Sequence, residues 1–331
     1  MEKYVPPFRL TNLMIKYIDS IVTKVNKLDG YQSLNRMPIL RKSNTIKSIH
    51  SSLAIEANSL TLEQVKDVIN GKLVLGNQKE IQEVKNAYEA YSVIKTINPY
   101  SLEEIKRIHG IMMQFLAVDA GLFRKGNEGV FEGTRCVYMA PPPNMVNKLM
   151  NDLFSWLNGH KEEIHPLILS SIFHYEFVFI HPFSDGNGRM ARLWQNIILS
   201  KWKDVFEYLP IESQIKKYQE EYYKAISNSH QQGESTSFIE FMLKMIDEVL
   251  EDTLNKTKEE INYLDSYVNK IYKVMEEDVL YSANQIMELL NIKSKETLRA
   301  NYLDPAISNG LIKQTLPDKP TSKNQKYYKV G

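Results

Sequence analysis

The sequence of 331 residues holds a single cysteine, Cys136. No disulfide can form within the chain, which fits a reducing compartment. It also lacks any apolar run approaching the ~20 residues that a membrane-spanning helix requires. Charge of one sign is missing as well. The 41 Lys and Arg against 40 Asp and Glu leave a formal +1, so no chain-wide field draws in nucleic acid or a membrane surface. The first ten residues carry Pro6-Pro7 and no apolar core, and do not read as a signal peptide. The expectation is a cytoplasmic protein with no membrane contact, long enough for a large core and more than one domain.

What is present is mostly helical periodicity. Leu10, Leu13, Met14, Tyr17, Ile18, Ile21 and Val25 share one side of a helix ending at Asp29-Gly30. A second helix runs from Pro38 through Ile55, and Thr61-Leu62-Glu63-Gln64 opens another as a capping-type start. Helices follow at 81–97 and at 102–116, the latter capped by Ser101. The texture then changes: 120–138 is glycine-rich, with two short β-favouring runs around Glu132-Gly133-Thr134, a β-hairpin in a helical chain. Further helices are expected at 146–157, 168–180, 193–202, 218–227 and 238–250. Leu250, Leu254, Ile261, Leu264, Val268, Ile271 and Met275 then form a coiled-coil-like seam with Thr257 in its polar slot. That seam is either docked on its own chain or a homodimer contact.

Ile180-His181-Pro182-Phe183-Ser184-Asp185-Gly186-Asn187-Gly188-Arg189-Met190-Ala191-Arg192 joins two apolar runs, and the rest of the chain is organised around it. Pro182 disfavours helix at His181, so the incoming helix ends there. Gly186 and Gly188 permit positive φ and leave amides uncovered, so the loop can curl into an anion-binding nest. The helix starting near Gly188 adds its positive end, and Arg189 and Arg192 lie three apart on it. The pattern is a polyphosphate site with a base and an acid attached. His174, seven residues before His181, is ~10 Å away along a helix, too far to share a metal, and is expected to pack beneath the site.

The stretch resembles the signature of the Fic family: HPF, any residue, Asp or Glu, GNGR, two residues, Arg. Every fixed position is met from His181 to Arg192. The resemblance implies a mainly α fold with a helical core and a hairpin flap, here Glu132, Gly133 and Thr134, over the site. It implies transfer of AMP from ATP to a Ser, Thr or Tyr hydroxyl of a target protein, possibly the chain itself. His181 would be the general base, and Asp185 would hold Mg²⁺ on the phosphates. Gly186, Asn187 and Gly188 would cradle the phosphates, Arg189 would steady them, and Arg192 would grip the γ-phosphate. Ser52 and Glu56 match the inhibitory motif of one class of the family, but Ala57 stands where Gly or Asn is usual, with Asn58 one place later. A helix end with an exposed glutamate is the alternative there, as a structural hairpin is for the flap. Reverse removal of AMP through Glu56, or nucleotide sensing in a DNA-binding regulator, are the alternative functions.

The tail reads as a separate module. Helix 282–290, a turn at Asn291-Ile292, a helix from Ser294 and two strands at 311–314 and 325–330 resemble a winged helix-turn-helix. From Asn291 to Gly331 there are 8 Lys or Arg against 3 acids, an excess that suits duplex DNA, although such modules also dock proteins. The expected division is 1–100 for an N-terminal helical region with the inhibitory helix and 101–250 for the catalytic core. A linking helix at 251–280 and the winged helix at 281–331 complete it.

Overall fold

The computed structural model of the protein describes residues 4–30, 38–132, 135–308 and 310–330. The chain opens in an extended lead held down at several points. The Tyr4 hydroxyl donates to Glu176, the Pro7 carbonyl accepts from the Ser235 amide at 2.9 Å, and the Arg9 amide donates to Thr236 Oγ1 at 2.9 Å. Helix α1, Asn12–Gly30, then buries Met14, Ile21, Val25 and Leu28, a stripe with helical spacing. Leu10 and Leu13, expected on that stripe, are exposed. Leu10 precedes the helix and Leu13 sits one residue off the buried line.

Helix α2, Pro38–Ile55, leads to α3, Leu62–Ile69, whose Thr61–Gln64 capping box forms as expected. Helix α4, Gln78–Ser92, starts at an Asn77 cap and stops short of the expected 97, where a 3₁₀ turn at Ile94–Thr96 takes over. Helix α5, Leu102–Met112, has the Ser101 cap, and it ends four residues before the expected boundary. Strands β1, Gly129–Glu132, and β2, Arg135–Met139, pair antiparallel with an irregularity after Val130. Gly133 and Thr134 lie outside the described residues.

Helices α6 (Pro143–His160), α7 (Pro166–Ile180) and α8 (Asn187–Trp202) follow. Helix α7 is buried nearly all round, from Leu167 to Phe177 without a break, as a mean composition this apolar requires. It is the core element against which α8 packs. Helices α9 (Ile211–Lys217), α10 (Gln219–Gln232) and α11 (Thr236–Val274) come next. The helices expected on either side of Leu250 are one continuous α11. The seam residues Leu250, Leu254, Thr257, Val268, Ile271 and Met275 are buried within the single chain, which favours docking over a dimer contact.

The chain divides into two compact units, Met1–Thr253 and Leu254–Gly331. In the second, β3 (Tyr281–Ser282), α12 (Ala283–Leu289), a helical run over Lys295–Ser308 with a π-helical stretch at Leu298–Leu303, β4 (Ile312–Gln314) and β5 (Lys326–Lys329) surround a core of Ile286, Leu298, Leu303, Ala306, Ile312 and Tyr327. The sheet order is β3-β5-β4, all antiparallel. Two of these strands were expected from the sequence. The two-residue β3 was not, because so short a strand carries no alternation. No helix among the described residues is long and apolar enough to cross a membrane.

Candidate active site

Helix α7 stops where Pro182 demands it, and His181 adopts a left-handed cap with φ 51° while its amide still bonds the Phe177 carbonyl. That conformation is unfavourable for a residue with a Cβ, and the surroundings hold it in place. Arg124 Nε donates to the His181 carbonyl at 2.6 Å, and the Arg124 amide donates to the Pro182 carbonyl at 2.9 Å. The same guanidinium reaches the carbonyls of Gly126 and Pro141 at 2.7 and 2.6 Å. One buried cation thus pins the catalytic-type loop and the base of the hairpin together. Phe183 is buried and stacks on His109 at 3.6 Å with the rings nearly parallel. The Asn187 side chain closes the turn, accepting from the Phe183 amide at 2.9 Å and donating to its carbonyl at 2.8 Å.

His109 has a defined tautomer. Its Nδ1 accepts the Gly121 amide at 2.8 Å, so Nε2 carries the hydrogen and donates to the Asp185 carbonyl at 3.0 Å. Burial pushes its pKa down to about 4, and the ring stays neutral. His174 is likewise buried between Gln195 and Tyr222 at 2.6 and 3.0 Å. It is a packed support, as its spacing predicts, and its pKa falls to about 3 because burial disfavours the charge.

The His181 pKa is also lowered, chiefly by burial and against the pull of a contact with the Val178 carbonyl. That contact, Nδ1 to oxygen at 3.4 Å, is long. A carbonyl only accepts, so Nδ1 bears the proton and Nε2 is left as the basic nitrogen.

Helix α8 begins at Asn187 with no side chain capping it, so the amides of its first turn have no carbonyl one turn earlier in the helix. Gly186 supplies the left-handed turn, φ 81°, and a Cβ there would lie 2.8 Å from Met113 Sδ. Asp185 Oδ1 accepts the Gly186 amide at 2.5 Å and Arg189 NH2 at 2.9 Å, while about half of the Asp185 side chain stays exposed. Arg189 is buried and lies 3.5 Å from Glu83 Oε1.

The carboxylate of Glu56 occupies this end of α8. Arg192 NH2 donates to Glu56 Oε1 at 2.8 Å and to the Ser52 carbonyl at 3.0 Å, and Nε donates to Ser52 Oγ at 3.1 Å. Burial works against the charge on Arg192, yet Glu56 and two nearby tyrosines hold its pKa above the ordinary value. The contact with Glu56 is a single one, through NH2. At Gly188 a Cβ would meet Glu56 Oε1 at 2.3 Å, so the approach depends on that glycine. Helix α2 ends at Ile55, Ala57 follows in the left-handed region, φ 66°, and the Asn58 amide returns to the Leu53 carbonyl at 3.1 Å. Asn58 Nδ2 then donates to Glu83 Oε2 at 2.8 Å. Glu83 therefore touches both the inhibitory-type segment and Arg189.

The structure brings together His181, Asp185 to Arg189, Arg192, Ser52 and Glu56. Glu132 ends β1, opposite Arg135. The hairpin is anchored near the site through Tyr138, whose hydroxyl donates to the Phe179 carbonyl at 2.5 Å. Sequence reasoning missed Arg124, His109 and Glu83. Arg124 had one weak signal, an arginine within the glycine-rich stretch 120–138, which also holds Arg135. His109 and Glu83 sit in ordinary amphipathic helices and had none.

A helical pair joined by an anion-seeking loop, with an imidazole at one side, defines the class of this helical domain. The chain belongs to the Fic family. Residues 99–199 match the Fic/DOC family, and residues 266–329 match the C-terminal domain of the Fic-like "Filamentation induced by cAMP" proteins. A Fic family protein from Desulfovibrio desulfuricans G20 is 39% identical and superposes with a TM-score of 0.75, with 99% of each chain covered. Fic-1 from C. elegans, 21% identical over 75% of this chain and 74% of that one, shares the fold at a TM-score of 0.63. Among curated relatives, the protein adenylyltransferase Fic of Aedes aegypti is 28% identical over 66% of this chain and 43% of its own length. That of Nematostella vectensis is 28% identical over 72% and 56%. The chain spans about half the length of the curated relatives it matches.

Proposed function

We propose that the protein is an adenylyltransferase that moves AMP from ATP to a Ser, Thr or Tyr hydroxyl of a target protein or of its own chain, and that Glu56 restrains it. The observation that carries this reading is the chain's own carboxylate seated on Arg192 and against Gly188, where the anion-binding end of α8 would otherwise receive phosphate. In the forward reaction Nε2 of His181 takes the proton of the attacking hydroxyl. The oxygen bonds the α-phosphorus as the bond to the β-phosphate bridging oxygen breaks, and pyrophosphate leaves. The first-turn amides of α8 and the Arg189 guanidinium face the charge that develops on the phosphates. Arg192 serves the γ-phosphate once Glu56 withdraws.

Asp185 fits a divalent cation. It is an exposed carboxylate beside the nest, and among the described residues no cluster of three His, Cys, Asp or Glu side chains exists. Mg²⁺ suits such a place, since it takes one or two carboxylates and fills its remaining positions with phosphate oxygens and water. When bound it would supply charge neutralisation on the phosphates.

Incubation with ATP labelled at the α- or γ-position tests the reading. Label from the α-position should become covalent on protein, and should do so roughly 10 to 100 times faster in Glu56→Gly if the restrained form outweighs the open one by about 99:1. Label from the γ-position alone would overturn AMP transfer. His181→Ala should lower transfer by roughly 10²–10⁴-fold while ATP still binds. Loss of AMP removal from a pre-modified target in Glu56→Gly would assign Glu56 to the reverse reaction instead.

For the second unit we take the winged helix-turn-helix reading with duplex DNA as partner. Its support is the helix α12, the left-handed turn at Asn291, φ 52°, and the three-stranded sheet, with Lys323 and Lys326 exposed. The full chain should bind duplex DNA with an affinity that falls as salt rises. Absence of binding at low salt would favour protein docking.

A further inference from the structure

A cavity of about 300 Å³ opens beside the first half of α2, with walls from Arg41, Lys42, Thr45, Tyr88, Tyr91 and Tyr208. Lys95 and Glu207 complete its charged rim. It contains none of the residues between His181 and Arg192, nor Ser52 or Glu56, so it is a separate site. Three cations face one carboxylate there. Glu207 is already matched by Lys95 at 3.1 Å, and Lys42 meets the neutral amide of Asn70 at 2.9 Å. Arg41 lies over the Tyr208 ring, 4.7 Å from its centre. Among the described lining residues three cations stand with one carboxylate, in a concave site with three phenol rings. The volume is at the lower end of small-ligand pockets. Such a site suits a flat ring that stacks on tyrosine and bears an anionic group for the guanidinium and ammonium donors.

We infer that this cavity binds a small aromatic anion, a single ring carrying a phosphate or carboxylate, and that binding favours the state in which Glu56 rests on Arg192. The coupling is physical. Arg41, Lys42 and Thr45 belong to the same helix as Ser52, and Glu56 directly follows that helix's last residue, Ile55, so a ligand held by them also holds the helix that carries Glu56. Tyr91 gives a second link: its hydroxyl donates to the buried Glu212 at 2.6 Å. The same Glu212 oxygen accepts Asn196 Nδ2 at 2.7 Å, one turn beyond Arg192 on α8. We take these walls to shift when Glu56 leaves Arg192, so a ligand that fits them as they stand draws the equilibrium toward the engaged state. This second half rests on the restraint by Glu56 proposed above. By reciprocity, loss of the engaged state must weaken the ligand by the same factor.

Calorimetric titration of the full chain with phenyl phosphate, benzoate and inorganic phosphate tests this without any activity measurement, so it stands apart from the transfer reading. Phenyl phosphate or benzoate should bind saturably, the tighter of the two naming the anionic group, and inorganic phosphate should bind at least ~10-fold more weakly for want of the ring. Arg41→Gln and, separately, Lys95→Gln should each weaken binding of the aromatic anion, while Arg192→Gln keeps a saturable site. Glu56→Gly should weaken it by about fivefold or more, the usual lower range of such coupling. No saturable heat with either aromatic anion overturns the site. So does equal affinity for inorganic phosphate, or affinity unmoved by both Arg41→Gln and Lys95→Gln. Loss of binding in Arg192→Gln, with Arg41→Gln unaffected, would place the anion in the α8 site instead. Unchanged affinity in Glu56→Gly overturns the coupling.

Discussion

Gly188→Ala probes the restraint from the side opposite Glu56, by crowding the carboxylate instead of deleting it. The added methyl would sit 2.3 Å from Glu56 Oε1, 3.1 Å from Arg192 NH1 and 3.3 Å from the Glu56 carboxylate carbon. Ordinary contact needs a separation near 3.5 Å, so the carboxylate must withdraw by about 1 Å. That is enough to stretch its 2.8 Å bond to Arg192 out of hydrogen-bonding range. The loss is about 1.5 kcal/mol, the low end for a charge-assisted bond, since Glu56 is 39% exposed. Against it, alanine in place of glycine within a helix returns up to about 1 kcal/mol. In the parent the net change in urea-unfolding stability is therefore small, a loss of roughly 0.5 kcal/mol. In a Glu56→Gly background the clash with the carboxylate is gone, only the 3.1 Å approach to Arg192 NH1 is left, and the same substitution should stabilise by up to about 1 kcal/mol. The coupling across the cycle is about 1.5 kcal/mol, or roughly tenfold in the open fraction. Transfer of α-label should rise about tenfold on adding Gly188→Ala to the parent and should not rise on adding it to Glu56→Gly. Additive effects on both stability and transfer would refute the close approach as the source of restraint.

Three further outcomes follow from the same geometry. Arg124→Met should destabilise by about 3 kcal/mol, because the carbonyls of His181, Gly126 and Pro141 lose a buried charged donor; an unchanged urea midpoint would show the loop does not need it. Ala57→Gly should stabilise by about 0.5–1 kcal/mol, since glycine relieves the left-handed strain at φ 66° against its own greater unfolded-state entropy; thermal melts would read this. Glu176→Gln should leave stability at pH 4.5 nearly unchanged and raise it at pH 8. Burial lifts the Glu176 pKa to about 7, although the Tyr4 hydroxyl pulls it down. The native state then keeps a proton that the unfolded chain releases above pH 4.5, so parent stability is full below 4.5 and lost as pH rises to about 7, on the order of 3 kcal/mol. Parallel urea titrations at the two pH values check the sign.

The helical core was legible because its signals are local. Apolar spacing marked α7 and α8, Pro182 marked the end of one, and the glycines marked the start of the other. The caps at Thr61 and Ser101 were equally readable, since each depends on residues three apart. The departure at Ala57 looked like a defect in the cap and is not one: alanine accepts the left-handed position and Asn58 is tied down by Glu83 instead. What stayed hidden depends on distant partners. Arg124 serves carbonyls on both sides of the site, and no spacing rule links residue 124 to residue 181. The stacking of Phe183 on His109 is likewise a tertiary fact. The helix ends at Ser92 and Met112 were misjudged because apolar residues continue past each into non-helical turns that are still packed.

The site poses an electrostatic problem that Glu56 resolves. Arg192 is 1% exposed at its side chain and cannot shed its charge. A guanidinium so placed loses its hydration and needs an anion or a full set of acceptors to remain there. Ser52 provides two oxygens, but they are neutral. Glu56 provides the charge, and its placement against Gly188 also satisfies the positive end of α8. A γ-phosphate would answer the same two demands. On the proposed reading carboxylate and phosphate would compete, because each neutralises the same buried cation. The segment that carries Glu56 is held on one side by Glu80 and Glu83 and on the other by Lys216 and Gln219 through the carbonyls of Ala54 and Ile55. Loosening those anchors would then favour phosphate over the carboxylate.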